Sequence, residues 1–489
     1  MSHIDQTLRS TVDDSRDARR SGTIRSLLTF PRVDAAMSDS RGDLLRRPGI
    51  ASSYALMSGR FERYNIARNQ VGFYTCVGMT ARYEIDSEFM SDLENVVFGA
   101  VTQLVNTHPV LGLSIINEAS LNPSWRRLGQ IDLRQVITFM GGDSDLTAVI
   151  ESAHQQPFEN LDTLPLWRLH VLSHQDSITV GFFFHHGICD GLSGVAFHKD
   201  FLAALQTSRN SVPTVVDVPK LPLLPSLEEM HPLPLSLYFV ATQLIKSILP
   251  GGKDNLCWTG GTIRTDPPTT SLRILFFDVE IVQTLSKICQ SHKVTITALL
   301  TVMIAHVLGR NFPEFERFSS GTAMSFRRFT DTPSNAMLLS VTSFGHRFSK
   351  TQKNAYIECG DWKWDAVKTC HSEIQTATAS PKNSQVGLLR FLNDYGGWLR
   401  GRVGQKRDHS FEVSNVGITD AGMSGGKPRI KSLLFSQPRN VTGAALVFSV
   451  ASVKGGDMGI SVTWQEGVVE REKAEKVLAD LDAELRKLA

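Results

Sequence analysis

The chain between residues 182 and 191 reads Phe182-Phe183-Phe184-His185-His186-Gly187-Ile188-Cys189-Asp190-Gly191. Its phenylalanines predict the end of a buried strand, and its glycines allow tight backbone geometry beside a substrate. Successive side chains of a strand point to opposite faces, so His185 and His186 cannot easily serve one centre. We expect one histidine to hold the turn and the other to face a cleft, where an ordinary pKa of about 6.5 suits a general base.

The flanking residues predict a hairpin before the histidines and a helix after them. Residues 167–171 alternate between apolar and polar side chains, Asp176 and Ser177 turn the chain, and 178–184 form the second strand. The helix begins at Gly191 and runs to about Leu205. Asp190 ends the turn, where it can organise the loop through a basic partner elsewhere in the chain.

Further elements mix long helices with strands that do not alternate. The predicted helices are 89–107, 295–308 with Gly309 at its end, and the amphipathic 469–488; the predicted strands are 445–451 and 458–464. Such a mixture predicts layered α/β or α+β halves.

Length and charge narrow the class of protein. The chain has 489 residues, and its 51 Lys and Arg against 49 Asp and Glu leave a net charge of +2, which argues against a dedicated nucleic-acid binder. No stretch reaches roughly 18 uninterrupted apolar residues, so we expect no transmembrane helix. Six cysteines without a C-x-x-C pair argue against a disulfide framework or structural zinc. We expect a globular, cytoplasmic protein.

Two segments differ from the rest of the chain. Residues 1–50 hold nine Arg, no Lys and seven Asp, and predict a flexible tail in which a short helix near 23–30 could touch a membrane or the protein surface. Residues 211–262 are rich in proline and enclose the apolar stretch 235–249. As a helix that stretch spans only about 22 Å. We expect it to pack on the body of the protein, with weak peripheral membrane contact as the alternative.

The residues His185-His186-Gly187-Ile188-Cys189-Asp190-Gly191 match HHxxxDG, the signature of the CoA-dependent acyltransferase superfamily. That superfamily includes plant BAHD acyltransferases, nonribosomal condensation domains and fungal alcohol acetyltransferases. The resemblance covers about 55–485 and extends to companion segments: Gly59-Arg60-Phe61-Glu62-Arg63-Tyr64 with Arg68, His108-Pro109-Val110-Leu111, Pro165-Leu166-Trp167-Arg168-Leu169, Trp258-Thr259-Gly260, 295–300 and Ser414-Asn415-Val416-Gly417. The DFGWG motif of the plant branch is missing, so the chain most resembles the fungal family.

The resemblance implies an α/β, two-lobed fold like that of chloramphenicol acetyltransferase, with an interlobe tunnel that ends at His186. The lobes would be 55–215 and 263–489, joined by 216–262, in a monomer. The implied reaction is transfer of an acyl group, most often acetyl, from acyl-CoA to the hydroxyl of a small alcohol.

The same resemblance assigns roles to residues. His186 would take the proton of the acceptor hydroxyl and return it to the leaving thiolate, without an acyl-enzyme. Asp190 would be architectural and pair with Arg327, and His185 and Gly191 would support the motif. Ser414 and Asn415 would line the channel or stabilise the oxyanion.

The donor carries phosphate charges, which predicts Lys or Arg at one mouth of the tunnel. The candidates in the second half are Arg328, Arg347, Lys350 and Lys382. We expect acyl-CoA as a co-substrate, with no permanently bound cofactor and no metal.

Other functions fit parts of the sequence. His185, His186, Cys189 and Asp190 have the residue types of a metal site, although adjacent histidines on a strand diverge. Cys189 could be a nucleophile activated by His186. Residues 422–426 fit G-x-S-x-G but lack the strand and helix of a nucleophile elbow, which favours a loop. A condensation-type domain with a carrier-bound acyl donor is the alternative function. The sequence does not identify the acceptor alcohol.

Overall fold

The computed structural model describes residues 56–207, 213–248, 255–348, 364–420, 422 and 428–489. Its strands are β1 (Leu56–Met57), β2 (Val77–Glu84), β3 (Leu113–Ile116), β4 (Ser124–Arg127), β5 (Gln130–Asp132), β6 (Ile137–Gly141), β7 (Trp167–Ser173), β8 (Ser177–Phe184), β9 (Val215–Asp217), β10 (Thr270–Phe277), β11 (Phe318–Ser325), β12 (Val341–Phe348), β13 (Phe411–Thr419), β14 (Arg429–Ser436), β15 (Leu446–Val453) and β16 (Met458–Gln465). Its α-helices are α1 (Arg60–Gln70), α2 (Ser87–Met90), α3 (Leu93–Thr107), α4 (Leu146–Gln155), α5 (Gly191–Thr207), α6 (Leu227–Met230), α7 (Leu237–Ile248), α8 (Val279–Ser291), α9 (Ile296–Asn311), α10 (Trp364–Ala379), α11 (Tyr395–Gly401) and α12 (Arg471–Leu488).

The strand that delivers the histidines lies at the centre of a five-stranded sheet. The strand order is β14-β2-β8-β7-β6, and β8 is buried over its whole length. Burial on both faces explains why its sequence is a continuous apolar run instead of an alternation. The hairpin expected at 167–184 is confirmed by the antiparallel pair β7 and β8.

Helix α5 follows the histidines and packs closely against this sheet. The ring of Phe197 stacks on Phe182 of β8 with centroids 3.9 Å apart. A Cβ atom at Gly194 would lie 2.8 Å from Cβ of Met79, so only glycine permits this approach of α5 to β2. His198 Nε2 donates to the Met79 carbonyl at 2.8 Å, which stabilises the same contact. The start of α5, next to the motif, is therefore fixed by packing.

A six-stranded sheet from the second half of the chain carries the other large core. Its order is β10-β16-β15-β13-β11-β12. Helix α9 is buried on nearly every side, as an apolar helix without a polar face requires. Helices α9 and α12 confirm the predictions for 295–308 and 469–488. Gly309 does not end its helix, because α9 continues to Asn311, and the helix expected at 89–107 is divided into α2 and α3.

Strand β14 comes from the second half of the sequence but pairs with β2 in the first sheet. Leu433 and Phe435 enter the core that surrounds β8. The hydroxyl of Ser461, in β16, donates to the Phe435 carbonyl at 2.7 Å. The two sheets are thus joined through β14, a connection that the boundaries 55–215 and 263–489 do not anticipate; those boundaries stay a prediction.

The apolar stretch expected at 235–249 forms α7, which leaves several large side chains in solvent. They are Leu237, Tyr238, Leu244 and Ile245. Membrane contact through this helix stays a prediction. The tail 1–50, its short helix at 23–30 and most of the G-x-S-x-G segment lie outside the described residues.

Within the described ranges, no single helix is long and apolar enough to cross a membrane; α8 and α9, bent by 99° relative to each other, meet that test as a pair by length and composition alone.

Helix α1 is anchored by a buried carboxyl group. Glu62 Oε2 accepts hydrogen bonds from the Gly59 backbone N–H at 2.7 Å and from Trp125 Nε1 at 2.9 Å. The Trp125 ring in turn lies beside Gly187, where an added Cβ would be 3.2 Å from it. Burial, with a smaller contribution from the charge of Glu228, raises the pKa of Glu62 to about 7.

Glu62 predicts a pH-dependent stability. Because its folded-state pKa lies above its ordinary 4.5, its contribution to stability is fully present below about pH 4.5 and is lost as the pH rises through about 7. Glu62→Gln keeps an acceptor oxygen but cannot ionise. We expect its melting temperature, relative to wild type, to rise between pH 5 and pH 8 in thermal unfolding. The exposed control Glu159→Gln should show no such trend, and a parallel response of the two variants would contradict the prediction.

Candidate active site

In the turn after β8, one ring nitrogen of His186 is hydrogen-bonded and the other can accept a proton. Its Nδ1 lies 2.8 Å from the Cys189 carbonyl oxygen. A carbonyl can only accept, so Nδ1 must carry the proton and Nε2 keeps its lone pair. Burial, followed by the charge of Arg68, lowers the pKa of His186 to about 4, while the Cys189 bond and Asp190 act in the opposite direction. The ring is therefore neutral at ordinary pH and can accept a proton at Nε2.

His185 holds the turn from inside. Its side chain is fully buried, and its Nδ1 accepts the backbone N–H of Gly187 at 2.9 Å. The ring lies 6.1 Å from that of Phe158. Burial, with a contribution from His186, lowers the pKa of His185 to about 3. His185 thus stays neutral and structural, on the face of the strand opposite to His186.

The structure brings Arg327 to Asp190. Arg327 Nη2 lies 2.8 Å from Asp190 Oδ1, and the Asp190 residue is only 2% exposed. The same oxygen accepts the backbone N–H of Ser193 at 2.9 Å and its hydroxyl at 3.0 Å, and Oδ2 accepts the Ser340 N–H at 3.0 Å. The carboxylate therefore connects the start of α5 to the segment between β11 and β12.

Two residues beside Asp190 are fixed by close packing. A Cβ atom at Gly191 would lie 2.9 Å from Val416 Cγ1 and 3.1 Å from the Phe435 ring, so a larger residue does not fit. The Cys189 side chain is fully buried, and burial raises the pKa of its thiol well above the ordinary range. A thiol in this state stays protonated, which counts against Cys189 as a nucleophile.

The side chains of Ser414 and Asn415, the two oxyanion candidates, lie on opposite faces of β13. Asn415 Nδ2 donates to Thr297 Oγ1, at the start of α9, at 3.0 Å, and Asn415 Oδ1 accepts the Gly417 N–H at 2.8 Å. Ser414 must point to the opposite face, because side chains alternate along a strand. Glu412 lies on that face. Burial raises its pKa, and the charge of Arg68 offsets part of this rise. The same arginine also lowers the pKa of His186. Ser414 is thus the better candidate of the two.

The donor-site candidates do not form one cluster. Arg328 follows β11 directly, whereas Arg347 pairs with Ser319 at the other end of that strand, about 20 Å away at the rise of a strand. Arg328, Arg347 and Lys382 are all exposed, and Lys350 lies outside the described residues. Arg328 and Arg347 cannot bind the same phosphate, and the donor site stays a prediction.

His186 has an aromatic partner that the sequence did not predict. The ring of Tyr74 lies against the imidazole with centroids 5.5 Å apart and planes 28° apart. Its hydroxyl donates to Gln437 Oε1 at 2.8 Å. No local pattern could have identified these contacts, since they join segments that are distant in sequence. Among the described residues, no group of three or more His, Cys, Asp or Glu is placed to hold a metal ion.

The Asp190 contacts predict a large loss of stability when the charge is removed. In Asp190→Asn, Arg327 loses its carboxylate partner, and breaking a buried pair from one side costs roughly 3–5 kcal/mol. Asp132→Asn is the matched control, since Asp132 pairs with Arg134 at a site where solvent screens the charges, and its loss of stability should be much smaller. Denaturant unfolding measures both. Equal losses in the two variants would show that the buried pair contributes nothing special.

Two solved structures have a fold similar to that of this chain. The TRI3 trichothecene 15-O-acetyltransferase from Fusarium sporotrichioides matches with a TM-score of 0.64 at 13% identity, over 88% of this chain and 94% of its own. A mutant starter condensation domain of rhizomide synthetase, in complex with C8-CoA, matches with a TM-score of 0.57 at 12% identity, over 90% and 95%. The fold is therefore the two-lobed α/β fold of CoA-dependent acyltransferases and condensation domains, as expected.

Curated relatives and a family model agree on a narrower group. The probable alcohol acetyltransferase crmB of Aspergillus fumigatus is 28% identical over 451 residues, which are 85% of this chain and 96% of the relative. The probable alcohol acetyltransferase FCK4 of Fusarium pseudograminearum is 27% identical over 422 residues, 80% and 86%. The model of the alcohol acetyltransferase family matches residues 57–485. The chain belongs to the alcohol acetyltransferase family.

Proposed function

We propose that the protein transfers an acetyl group from acetyl-CoA to a hydroxyl of a small alcohol or secondary metabolite, with His186 as the general base. Membership in the family makes it a transferase that uses acyl-CoA and an alcohol acceptor; the acetyl group and the residue roles are the proposal. The observation that carries it is the bond from His186 Nδ1 to the Cys189 carbonyl, which leaves Nε2 as the proton acceptor.

The proton and the acyl group move in two steps. Nε2 of His186 takes the hydroxyl proton while the acceptor oxygen attacks the thioester carbonyl, which gives a tetrahedral oxyanion. Collapse of this intermediate breaks the bond between carbon and sulfur and forms the ester. The imidazolium then returns the proton to the leaving thiolate, so the products are the ester and free CoA, and the base is regenerated.

Groups on the turn, on β13 and after β11 support this cycle. The Cys189 carbonyl keeps Nδ1 protonated throughout, and Asp190 offers the transient imidazolium a nearby negative charge. We assign the oxyanion to the hydroxyl of Ser414, on the face of β13 that carries Glu412. His185 and Gly191 keep the turn in place, and Arg327 holds Asp190.

The same proposal includes a tunnel between lobes 55–215 and 263–489. It also includes a monomeric protein in the cytoplasm, with weak peripheral membrane contact through α7. Either Arg328 or Arg347, with Lys350 and Lys382 as further candidates, would meet the phosphates of CoA. The proposed acceptor class, an alcohol, follows the family and its relatives, which are named alcohol acetyltransferases.

A donor panel tests the function. Purified protein is mixed with acetyl-CoA or longer acyl-CoA and with a panel of alcohols, against the same acyl group on a carrier protein. We expect mass spectrometry to find the acetyl ester and free CoA. Product from the carrier-bound donor alone would replace this proposal with a condensation-type reaction, and no product from any donor would reject both.

Substitution of His186 and of Cys189 should have different effects on activity. His186→Ala should lower kcat by about 10²–10⁴ because the base is lost, with the melting temperature nearly unchanged. Cys189→Ala should keep most of the activity, since direct transfer needs no thiol. CoA release with a thiol reagent measures both, and His174→Ala serves as a histidine control away from the site. An inactive, stable Cys189→Ala, with an acetylated Cys189 in the wild type, would contradict direct transfer.

A further inference from the structure

A cation and an aromatic ring lie behind the proposed base. The Tyr74 ring is stacked against His186, and the guanidinium carbon of Arg68 lies 4.0 Å from the centroid of the same ring. Tyr74 is thus in contact with both the imidazole and the guanidinium. A cation over a tyrosine face is attracted by the ring quadrupole, and the attraction grows when water is excluded. Both Arg68 and Tyr74 are buried.

The chain fixes the Tyr74 ring at both ends. Helix α1 ends in a turn where the Tyr74 backbone N–H donates to the Arg68 carbonyl at 3.2 Å and Asn69 Nδ2 donates to the Tyr74 carbonyl at 3.2 Å. At the other end the hydroxyl is held by Gln437, which itself donates to Ser449 Oγ at 3.1 Å. The ring therefore has little freedom to rotate or withdraw.

Arg68 carries its charge in the interior without forming an ion pair with any described residue. It is 8% exposed, and its bonds go to two neutral amides, Asn65 Oδ1 at 3.1 Å and Asn440 Oδ1 at 3.2 Å. Within the part of the chain that the structure describes, no carboxylate forms an ion pair with it, and its Nε is buried without a partner. A buried cation normally has a carboxylate partner. This one instead acts through space on its neighbours.

Resting on the function proposed above, we propose that Arg68 and Tyr74 are positioning residues for His186. The Tyr74 ring fixes the plane of the imidazole and so the direction of Nε2. Arg68 holds the ring, and its charge adds to the effect of burial in keeping the imidazole neutral until the acceptor proton arrives. Neither residue is assigned a contact with the substrate.

Other charged groups act on the same imidazole. Asp190, on the turn itself, favours the protonated ring, and Arg68, from α1, opposes it. His185 lies next to His186 in the chain and stays neutral. Glu412, from β13, interacts electrostatically with Arg68 and Tyr74, and burial raises its own pKa.

The charge of Arg68 is tested by its removal. Arg68→Met should raise the midpoint of His186 titration by about one pH unit, because the opposing cation is gone, and Arg68→Lys should leave it near the wild-type value. The midpoint is read from NMR of labelled histidine, with His186→Gln to assign the signal, and from the acidic limb of kcat/KM. An unchanged midpoint in Arg68→Met overturns the role of the charge. If that variant does not fold, Arg68→Gln, whose amide can still contact Asn440, removes the same charge.

The ring of Tyr74 is tested separately. Tyr74→Leu should lower kcat about 10- to 100-fold with the KM for acyl-CoA unchanged, because the imidazole loses its support while the donor site is intact. Tyr74→Phe keeps the ring and should remain within about threefold of wild type. Each rate is taken per folded molecule, with thermal unfolding as the check. Equal rates for Tyr74→Leu and Tyr74→Phe overturn the positioning role.

Failure of this inference differs from failure of the function. If wild-type protein makes no ester with any acyl-CoA, the function is rejected, whereas the NMR midpoint of His186 does not require turnover. A wild-type enzyme that makes the ester, with an Arg68→Met midpoint equal to its own, rejects the inference alone.

Discussion

The carboxylate of Asp190 is the interaction on which the site depends. It is buried, and it accepts hydrogen bonds from Ser193 at the start of α5, from Ser340 before β12 and from Arg327 after β11. Each donor would lose a partner in the interior if the side chain were absent, and unmet buried donors are costly. The charge thereby holds the first sheet, which carries the histidines, against a segment of the second sheet.

Two arginines near the motif, the buried Arg68 and the mostly buried Arg327, have different roles because only Arg327 forms an ion pair. The charge of Arg327 is neutralised by Asp190, and this ion pair stabilises the structure around the motif. Arg68 is bonded to neutral amides, so its field extends to His186 and opposes protonation. A base with a lowered pKa is a weaker proton acceptor but stays neutral at any ordinary pH. The balance between the negative Asp190 and the positive Arg68 therefore sets how readily the ring accepts and returns a proton.

The elements that depend on residues close together in the sequence were predicted correctly. The hairpin at β7 and β8 was readable from alternation and its turn, and the pairing of Arg327 with Asp190 was implied by the family resemblance. Strand β14 was not assigned to the first sheet, because pairing between distant segments leaves no period in the sequence. Tyr74 and Gln437 were missed for the same reason. Ser414 and Asn415 were predicted together, but strand alternation turns Asn415 toward Thr297, and the role of both residues stays a prediction.

The geometry of the turn gives a physical reason for the spacing in HHxxxDG. The Ile188 N–H donates to the His185 carbonyl at 3.1 Å, which closes a turn and brings the Cys189 carbonyl to Nδ1 of His186. The residue after that carbonyl must begin α5, and Asp190 does so by accepting the N–H of Ser193 three positions later. The three open positions therefore contribute backbone atoms, and the Cys189 thiol is not required. Their number is fixed by the reach of the turn, while their side chains are constrained by the packing around them, as the crowding at Gly187 and the burial of Cys189 show.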